Sequence, residues 1–431
     1  MPTPSDLTAD AAIERRILRK VMIRLLPLMA AMFLVNFVDR VNVGFAALTM
    51  NGDIGLSPIA YAWGAGIFFV AYFIFEVPSN LIMERVGARL WMARIMLTWG
   101  LISGATAFVA GPGSFLALRF LLGAAEAGFV PGMLLYVTYW FPPRYRGRAV
   151  AWFFIAAPLS SAIAGLLSVP ILRMDGLWGF RGWQWMFILE ALPAVLLAAV
   201  VLWYLVDTPR TAAWLTGEER DWLERHCEHP AEHMRPMAQL RTLLDRRVWL
   251  LSAIYVGRTT AMYGVSLFLP LILQAIGLTN ERTGIVAAVP FVAATVGSVL
   301  WAYSSDRHDE RHWHSIAAVW LAAIGLTGAS LVGPSLWALA AISLAAIGLY
   351  AQAVCFWALP PMILSRAAAA AGIAAVNSVG NLGGFVGPYL VGRAQAATGS
   401  YRAGVLVLAA FAASSGMLGI ILWRLGWDRR S

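Results

Sequence analysis

Long apolar stretches separated by short polar connections run the length of the chain. An α-helix rises about 1.5 Å per residue, so roughly 20 consecutive apolar residues suffice to cross a bilayer. Runs of that kind lie at 25–49, 60–83, 91–110, 113–141, 148–170, 184–206, 247–276, 281–303, 314–332, 335–359, 369–397 and 401–426. One connection, 207–246, is far longer than the others and rich in both signs of charge. The pattern predicts an all-α membrane protein with twelve transmembrane helices in two six-helix bundles, 25–206 and 247–426. A cytoplasmic segment 1–24 precedes them, a cytoplasmic linker 207–246 joins them, and a cytoplasmic tail 427–431 follows. Within the linker, 216–226 (TGEERDWLERH) opens on a capping residue, with acids in its first turn and bases later, as a short surface helix should.

Composition agrees with the pattern: 60% of residues are hydrophobic and 13% charged, which excludes an ordinary soluble domain. Residues 1–24 are polar and basic, with no short apolar core before a small-residue cleavage site, so the first helix is expected to stay in the mature chain. The net charge of +9 could suggest nucleic acid, but its distribution is that of a topology signal. Most of the basic residues fall on the side that carries the N-terminus, which by the positive-inside rule puts both termini in the cytoplasm. The preference for arginine over lysine suggests a high-GC bacterial source, and so the inner (plasma) membrane. Cys227 and Cys355 form neither a disulfide framework nor a zinc spacing and receive no role.

The two halves echo each other. Glu84-Arg85 followed by Trp91 after the second run is repeated as Asp306-Arg307 followed by Trp313 after the eighth. Pro142-Pro143 before Arg148 is repeated as Pro360-Pro361 before Arg366, and the same shift aligns Gly165 with Gly383 and Pro170 with Pro388. Two like-oriented repeats meet across a central cavity, with the substrate site near the bilayer midplane. Runs 1, 4, 7 and 10 are expected to line it.

Ionisable residues inside apolar runs cost several kcal/mol facing lipid, on the order of 2.5 to 3.5 on the gentlest scale, so they face protein or water and mark function by default. Asp39 and Arg40, flanked by Asn36 and Asn42, sit in the middle of run 1. Adjacent residues on a helix point about 100° apart, to different partners; the alternative is a structural ion pair locking two helices. Arg119 and Glu126 form a second base and acid seven residues apart on one face of run 4, where they could instead simply neutralise neighbouring helices. Coupled transport of an anion needs a cation to replace the water around a carboxylate, and an acid to bind and release a proton. Asp39 and Glu126 are therefore the proton-carrier candidates, with Arg40 and Arg119 as anion anchors. Arg258 in run 7 is either a further carboxylate anchor or a snorkelling side chain. Glu76, near the inner end of run 2, reads as a gate or loop contact. Asn377 and Asn381, four apart on one face of run 11, can hydrogen-bond a substrate hydroxyl or carboxylate, or a neighbouring helix. Tyr72, Gln352 and Trp357 are possible cavity linings. His308, His312 and His314 cluster with acids in the loop after run 8, but no cysteine supports a metal site and none is assigned. No phosphate-cradling loop, nucleophile elbow or metalloprotease helix is present, so the chain reads as a non-enzyme without cofactor, driven by a gradient.

Five stretches carry a resemblance: 36–42 (NFVDRVN), 76–99 (EVPSNLIMERVGARLWMARIMLTW), 119–132 (RFLLGAAEAGFVPG), 207–215 (DTPRTAAWL) and 377–392 (NSVGNLGGFVGPYLVG). Together they resemble the anion:cation symporter family of the major facilitator superfamily over nearly the whole chain. The resemblance implies proton-coupled uptake of a small organic anion such as tartrate, a sugar acid, phthalate or hydroxyphenylacetate. It also implies proton transfer at Asp39 and Glu126, substrate contact at Arg40, Tyr72 and Asn377 or Asn381, assistance from Arg119, and a protein that acts as a monomer in membrane lipid. Where the sugar-acid branch has a glutamine in the fifth helix, this chain has Ala156, Ala157 and Pro158, and Arg258 adds a cation. Both departures favour a dicarboxylate or an aromatic acid. An anion exchanger and a transporter-like sensor without flux are the competing readings.

Overall fold

The computed structural model describes residues 4–227, 245–332, 335–364 and 366–427. Seven helices build the N-terminal half: α1 (Pro4–Asp53), α2 (Pro58–Val86), α3 (Ala88–Ala105), α4 (Pro112–Glu126), α5 (Phe129–Trp140), α6 (Pro143–Leu172) and α7 (Gly182–Tyr204). The linker holds α8 (Gly217–His226). The second half contains α9 (Arg246–Ala275), α10 (Asn280–Arg307), α11 (His312–Val332), α12 (Leu336–Phe356), α13 (Leu359–Ile363), α14 (Arg366–Asn381), α15 (Gly383–Thr398) and α16 (Arg402–Arg424). With α4–α5, α12–α13 and α14–α15 each counted as one interrupted span, the twelve spans form two six-helix halves. Ten helices among the described residues are long and apolar enough to cross a membrane. The third span, α3, is short and carries Arg89 and Arg94, and the eleventh is divided at Leu382, which accounts for the difference.

Two features depart from the expected boundaries. Residues 4–24 are not a separate segment but the continuation of α1. Ile17, Leu18, Val21 and Leu25 recur at helical spacing and are buried, so this extension has an apolar face of its own to pack. On its polar side Lys20 pairs with Glu219 of α8 at 2.7 Å, tying the first helix to the linker. Burial opposes ionisation of Glu219, but hydrogen bonds from Lys20 and the Thr216 backbone outweigh it and hold the carboxyl below its ordinary range. The helix predicted at 216–226 is present, capped by the Thr216 side chain; residues 228–244 of the linker lie outside the described residues.

The second departure is that run 4 is not one helix. It breaks at Ala127 and Gly128, where Gly128 takes a φ of 84°, a left-handed conformation that costs glycine little. A Cβ there would lie 2.7 Å from that of Ser79, so the same glycine also permits α2 to approach.

The most extensive packings between the halves are α6 on α10, α2 on α15, and α1 on α9. They are tightest on the face opposite the termini. A Cβ on Gly165 would stand 2.8 Å from the Gly284 carbonyl oxygen, and one on Gly284 2.6 Å from that of Gly165, so two backbones touch there as small residues allow. Around this contact, Tyr61 donates to the Leu267 carbonyl at 2.9 Å, Gln274 to that of Leu48 at 3.1 Å, and Arg173 pairs with Glu281 at 2.7 Å. The face opposite the termini is closed.

Candidate functional site

At the centre of the molecule, Arg40 lies between the halves, 4% exposed. Its guanidinium forms a buried ion pair with Glu126 through Nη2 and donates to the Tyr263 hydroxyl of α9 through Nη1 at 3.0 Å. Aromatic rings surround it: those of Phe37, Phe68 and Tyr72 lie 5.2, 5.4 and 5.3 Å from its Cζ, close enough for cation–π attraction. Glu126 is the last residue of α4, and the break after it turns the chain away. The carboxylate thus sits at a helix end beside the interface. The Tyr72 hydroxyl is buried without a hydrogen-bond partner, facing the same rings.

Asp39, one residue earlier, points into the N-terminal half instead. Its Oδ1 accepts from Ser103 of α3 at 2.5 Å and from Asn42 at 3.1 Å, while Oδ2 has no partner. The roughly 100° between neighbours on a helix has separated the two charges into different environments. Arg119 lies within electrostatic reach of both Asp39 and Glu126 and forms no ion pair among the described residues. Its Nε donates to the Gly64 carbonyl at 3.2 Å, its ring neighbour is Phe68 at 5.0 Å, and Nη1 and Nη2 are buried and unpartnered.

A second link crosses the halves nearer the termini. Asn377 donates to Glu76 at 2.7 Å, both residues being buried, with Glu76 Oε2 left over. Glu76 therefore joins the sequence-predicted amide of α14 in one contact between helices of opposite halves. Asn381 is buried at the last residue of α14, one turn further along. The preceding Gly380 carbonyl accepts from Thr259 of α9 at 2.5 Å.

Arg258 does not snorkel. It is buried, and its Nε donates to the Leu349 carbonyl of α12 at 2.9 Å, which holds its head inside the C-terminal half. Gln352 turns to Ser315 at 3.4 Å and Trp357 packs edge-on against Tyr255, so both serve packing within that half. Ala156 and Ala157, at the position where an amide was looked for, are buried; Ser161, one turn on, reaches Tyr350 across the halves at 3.4 Å. The loop histidines have separate partners: His308 the Ser304 carbonyl, His312 that of Gly419, and His314 the Glu310 carboxylate.

The acid that sequence reading missed is Glu190 of α7. It is 5% exposed and both carboxylate oxygens are buried without a partner. The rule that singled out Asp39, an acid inside an apolar run, applies equally to Glu190, but it stands alone near the start of its run with no basic neighbour to draw attention. Tyr263, which completes the Arg40 site from the other half, gave no signal among so many aromatics.

Comparison with known proteins adds the following. The profile of the Major Facilitator Superfamily matches residues 28–388. A protein of Agrobacterium vitis whose name proposes it as a tartrate transporter is 46% identical over 417 residues, 96% of each chain. A quinolone resistance transporter of Acinetobacter baumannii is 40% identical over 399 residues, 92% of each chain. A bacterial homolog of the human lysosomal transporter Spinster, solved in an inward-facing and unoccupied conformation, matches with a TM-score of 0.78 at 17% identity, over 96% of this chain and 99% of that one. At that identity the likeness concerns the fold alone.

Proposed function

From the premise that the chain belongs to the Major Facilitator Superfamily and is a multi-pass membrane transporter, we propose that it carries a small organic carboxylate inward together with protons, by alternating access. The substrate class is a hydroxy-dicarboxylate such as tartrate or an aromatic acid; the tartrate name of the Agrobacterium relative and the loss of an amide at Ala156 and Ala157 both favour it. The termini face the cytoplasm in the inner membrane, and the monomer is the working unit.

One observation carries this reading: Arg40 is buried between the halves and already holds a carboxylate, that of Glu126, while touching the other half through Tyr263. A buried guanidinium must keep an anionic partner. A substrate carboxylate entering the interface supplies one, in the planar, two-oxygen form that guanidinium matches best. Glu126, displaced, then loses its cation in a dry site and takes a proton. Substrate binding and proton binding thus favour each other, the condition for symport. Tyr72 and Tyr263 line the site, and Asn377, released from Glu76 when the gate opens, can meet the far end of the substrate. The closed outer face and the glycine contact at Gly165 and Gly284 correspond to a site approached from the cytoplasm.

Uptake of radiolabelled tartrate, 4-hydroxyphenylacetate, phthalate and galactonate into proteoliposomes tests the reading, with and without an inward proton gradient. Gradient-driven accumulation of one acid, abolished in Glu126→Gln, is expected. Exchange that ignores the gradient and persists in Glu126→Gln would make the protein an exchanger, and accumulation driven only by an outward-directed gradient would make it an exporter.

A further inference from the structure

Glu190 takes no part in the proposed Arg40 site, yet it is an acid buried in the middle of a bundle. Its position follows from close helix packing. A Cβ on Gly100 of α3 would lie 3.2 Å from that of Ala194 and 3.3 Å from the Ala191 carbonyl oxygen of α7, and one on Gly104 3.5 Å from the Ala191 Cβ. Ser103, between those two glycines, holds Asp39 at 2.5 Å. Glu190, next to Ala191, therefore lies beside the same polar island, within electrostatic reach of Asp39.

The island is short of partners throughout. Asn36 is fully buried with neither end of its amide bonded, and Asn42 is fully buried with its Oδ1 free. Asp39 Oδ2, both Glu190 oxygens, and Arg119 Nη1 and Nη2 are likewise unpartnered. The charged groups facing Glu190 are Asp39 from α1 and, beyond it, Arg119 from α4; α3 contributes the neutral Ser103 and Trp99. Arg40 and Glu126 already neutralise each other. That leaves one cation, Arg119, against two acids, Asp39 and Glu190. A water-excluded interior holds charges only when they are balanced, so the island needs one more positive charge.

We propose that Asp39 and Glu190 form a two-carboxylate site that shares a single exchangeable proton, with Arg119 as its fixed counter-charge. Glu190 is then a coupling residue, and a coupling proton besides the one taken by Glu126 has a holding place inside the N-terminal half, apart from the substrate site. The step is a simple transfer: a proton from water bonds to one carboxylate oxygen, the other acid accepts a hydrogen bond from it, and the same O–H bond breaks on release. The inference rests on the symport reading above and deepens it.

Proteoliposomes containing wild type, Glu190→Gln and Glu190→Asp provide the test, each assayed for accumulation under a pH gradient, for exchange at symmetric pH, and for accumulation under a sodium gradient. Removing one acid leaves Arg119 balanced by Asp39 with no proton needed. Glu190→Gln is therefore expected to lose accumulation by about ten-fold, within the range usual for coupling between two ligands, while exchange stays within about two-fold of wild type. Glu190→Asp should keep both. Wild-type accumulation with an unaltered Glu190→Gln overturns the inference and leaves the symport reading standing. Loss of exchange as well as accumulation in both variants assigns Glu190 a structural role and overturns it too. A wild type driven by sodium and not by protons overturns the proton as occupant, and a wild type that accumulates under neither gradient overturns both readings.

Discussion

Arg40 and Asp39 are adjacent in the chain and do different work. Arg40 meets Glu126 and Tyr263 at the interface of the halves, whereas Asp39 meets Ser103 and Asn42 inside one half. Replacing Arg40 by lysine keeps the charge but loses the planar fork that can serve Glu126, Tyr263 and a substrate carboxylate in turn. A hydrogen bond to a charged group is worth about 1.5–3 kcal/mol, so Arg40→Lys should weaken substrate binding by at least about ten-fold with the fold intact; isothermal titration of the purified protein measures it. Asn377→Ala leaves the buried Glu76 carboxylate without its 2.7 Å donor. It should destabilise the closed gate by about 1–3 kcal/mol, seen as faster labelling of a cysteine introduced at Ser378. The charges behind these predictions were legible in the sequence, because an ionisable group in an apolar run is conspicuous. Their partners were not: which side chain Arg40 meets depends on how helices rotate and cross, and no local spacing encodes that. Arg119 illustrates the difference, a cation conspicuous in its run whose hydrogen bond to the Gly64 carbonyl no spacing in the sequence announces.

Among elements, the interrupted helices matter most. Gly128 ends α4 directly after Glu126 and allows the carboxylate to stand at a helix terminus beside Arg40. The sequence shows the glycine and a following proline at Pro131, but an apolar run of this length reads equally well as one straight helix. The break between α12 and α13 lies at Trp357 and Ala358, just before Pro360 and Pro361 in the first turn of α13. Of the repeat around Trp91 and Trp313, both tryptophans stand in the first turn of a helix: the Trp91 indole donates to Ser79 at 3.0 Å, and the Trp313 backbone amide to Glu310 at 2.6 Å. The contact of α6 with α10 at Gly165 and Gly284 is the element on which closure of the face opposite the termini rests. A leucine at Gly284 cannot fit against the opposing backbone, and overpacking of this kind costs about 1–3 kcal/mol. Gly284→Leu should hold that face open. Maleimide labelling of Ser168→Cys, slow in the otherwise unaltered protein, should become fast in its presence, and net uptake should fall.

For the whole molecule, alternating access requires the halves to move while the connections between them hold. The first helix, continuing to Pro4, is tied to the linker helix through Lys20 and Glu219. Glu219 has a depressed pKa in the folded state. Its contribution to docking is therefore present above the carboxylate's unfolded pKa and is lost as pH falls through the lower folded value. Proteolysis within α8 at neutral pH should be slow and should accelerate as the medium becomes acidic enough to protonate that carboxylate, and Glu219→Gln should remove most of this dependence. The twelve-span plan was legible from hydropathy alone because lipid permits only satisfied backbone, and so long helices, to cross it. The extension of α1 was not, since its apolar face is narrow and its exposed face strongly basic.

The central claim is that a substrate carboxylate replaces Glu126 on Arg40 and that Glu126 takes a proton as it is displaced. The most direct measurement is of protons taken up when substrate binds to the purified protein in weakly buffered detergent solution, followed with a pH indicator. Binding of the transported acid should draw protons from solution, and Glu126→Gln should bind it with about one proton fewer per substrate. Binding to wild type without proton uptake, or equal uptake in Glu126→Gln, would contradict the account.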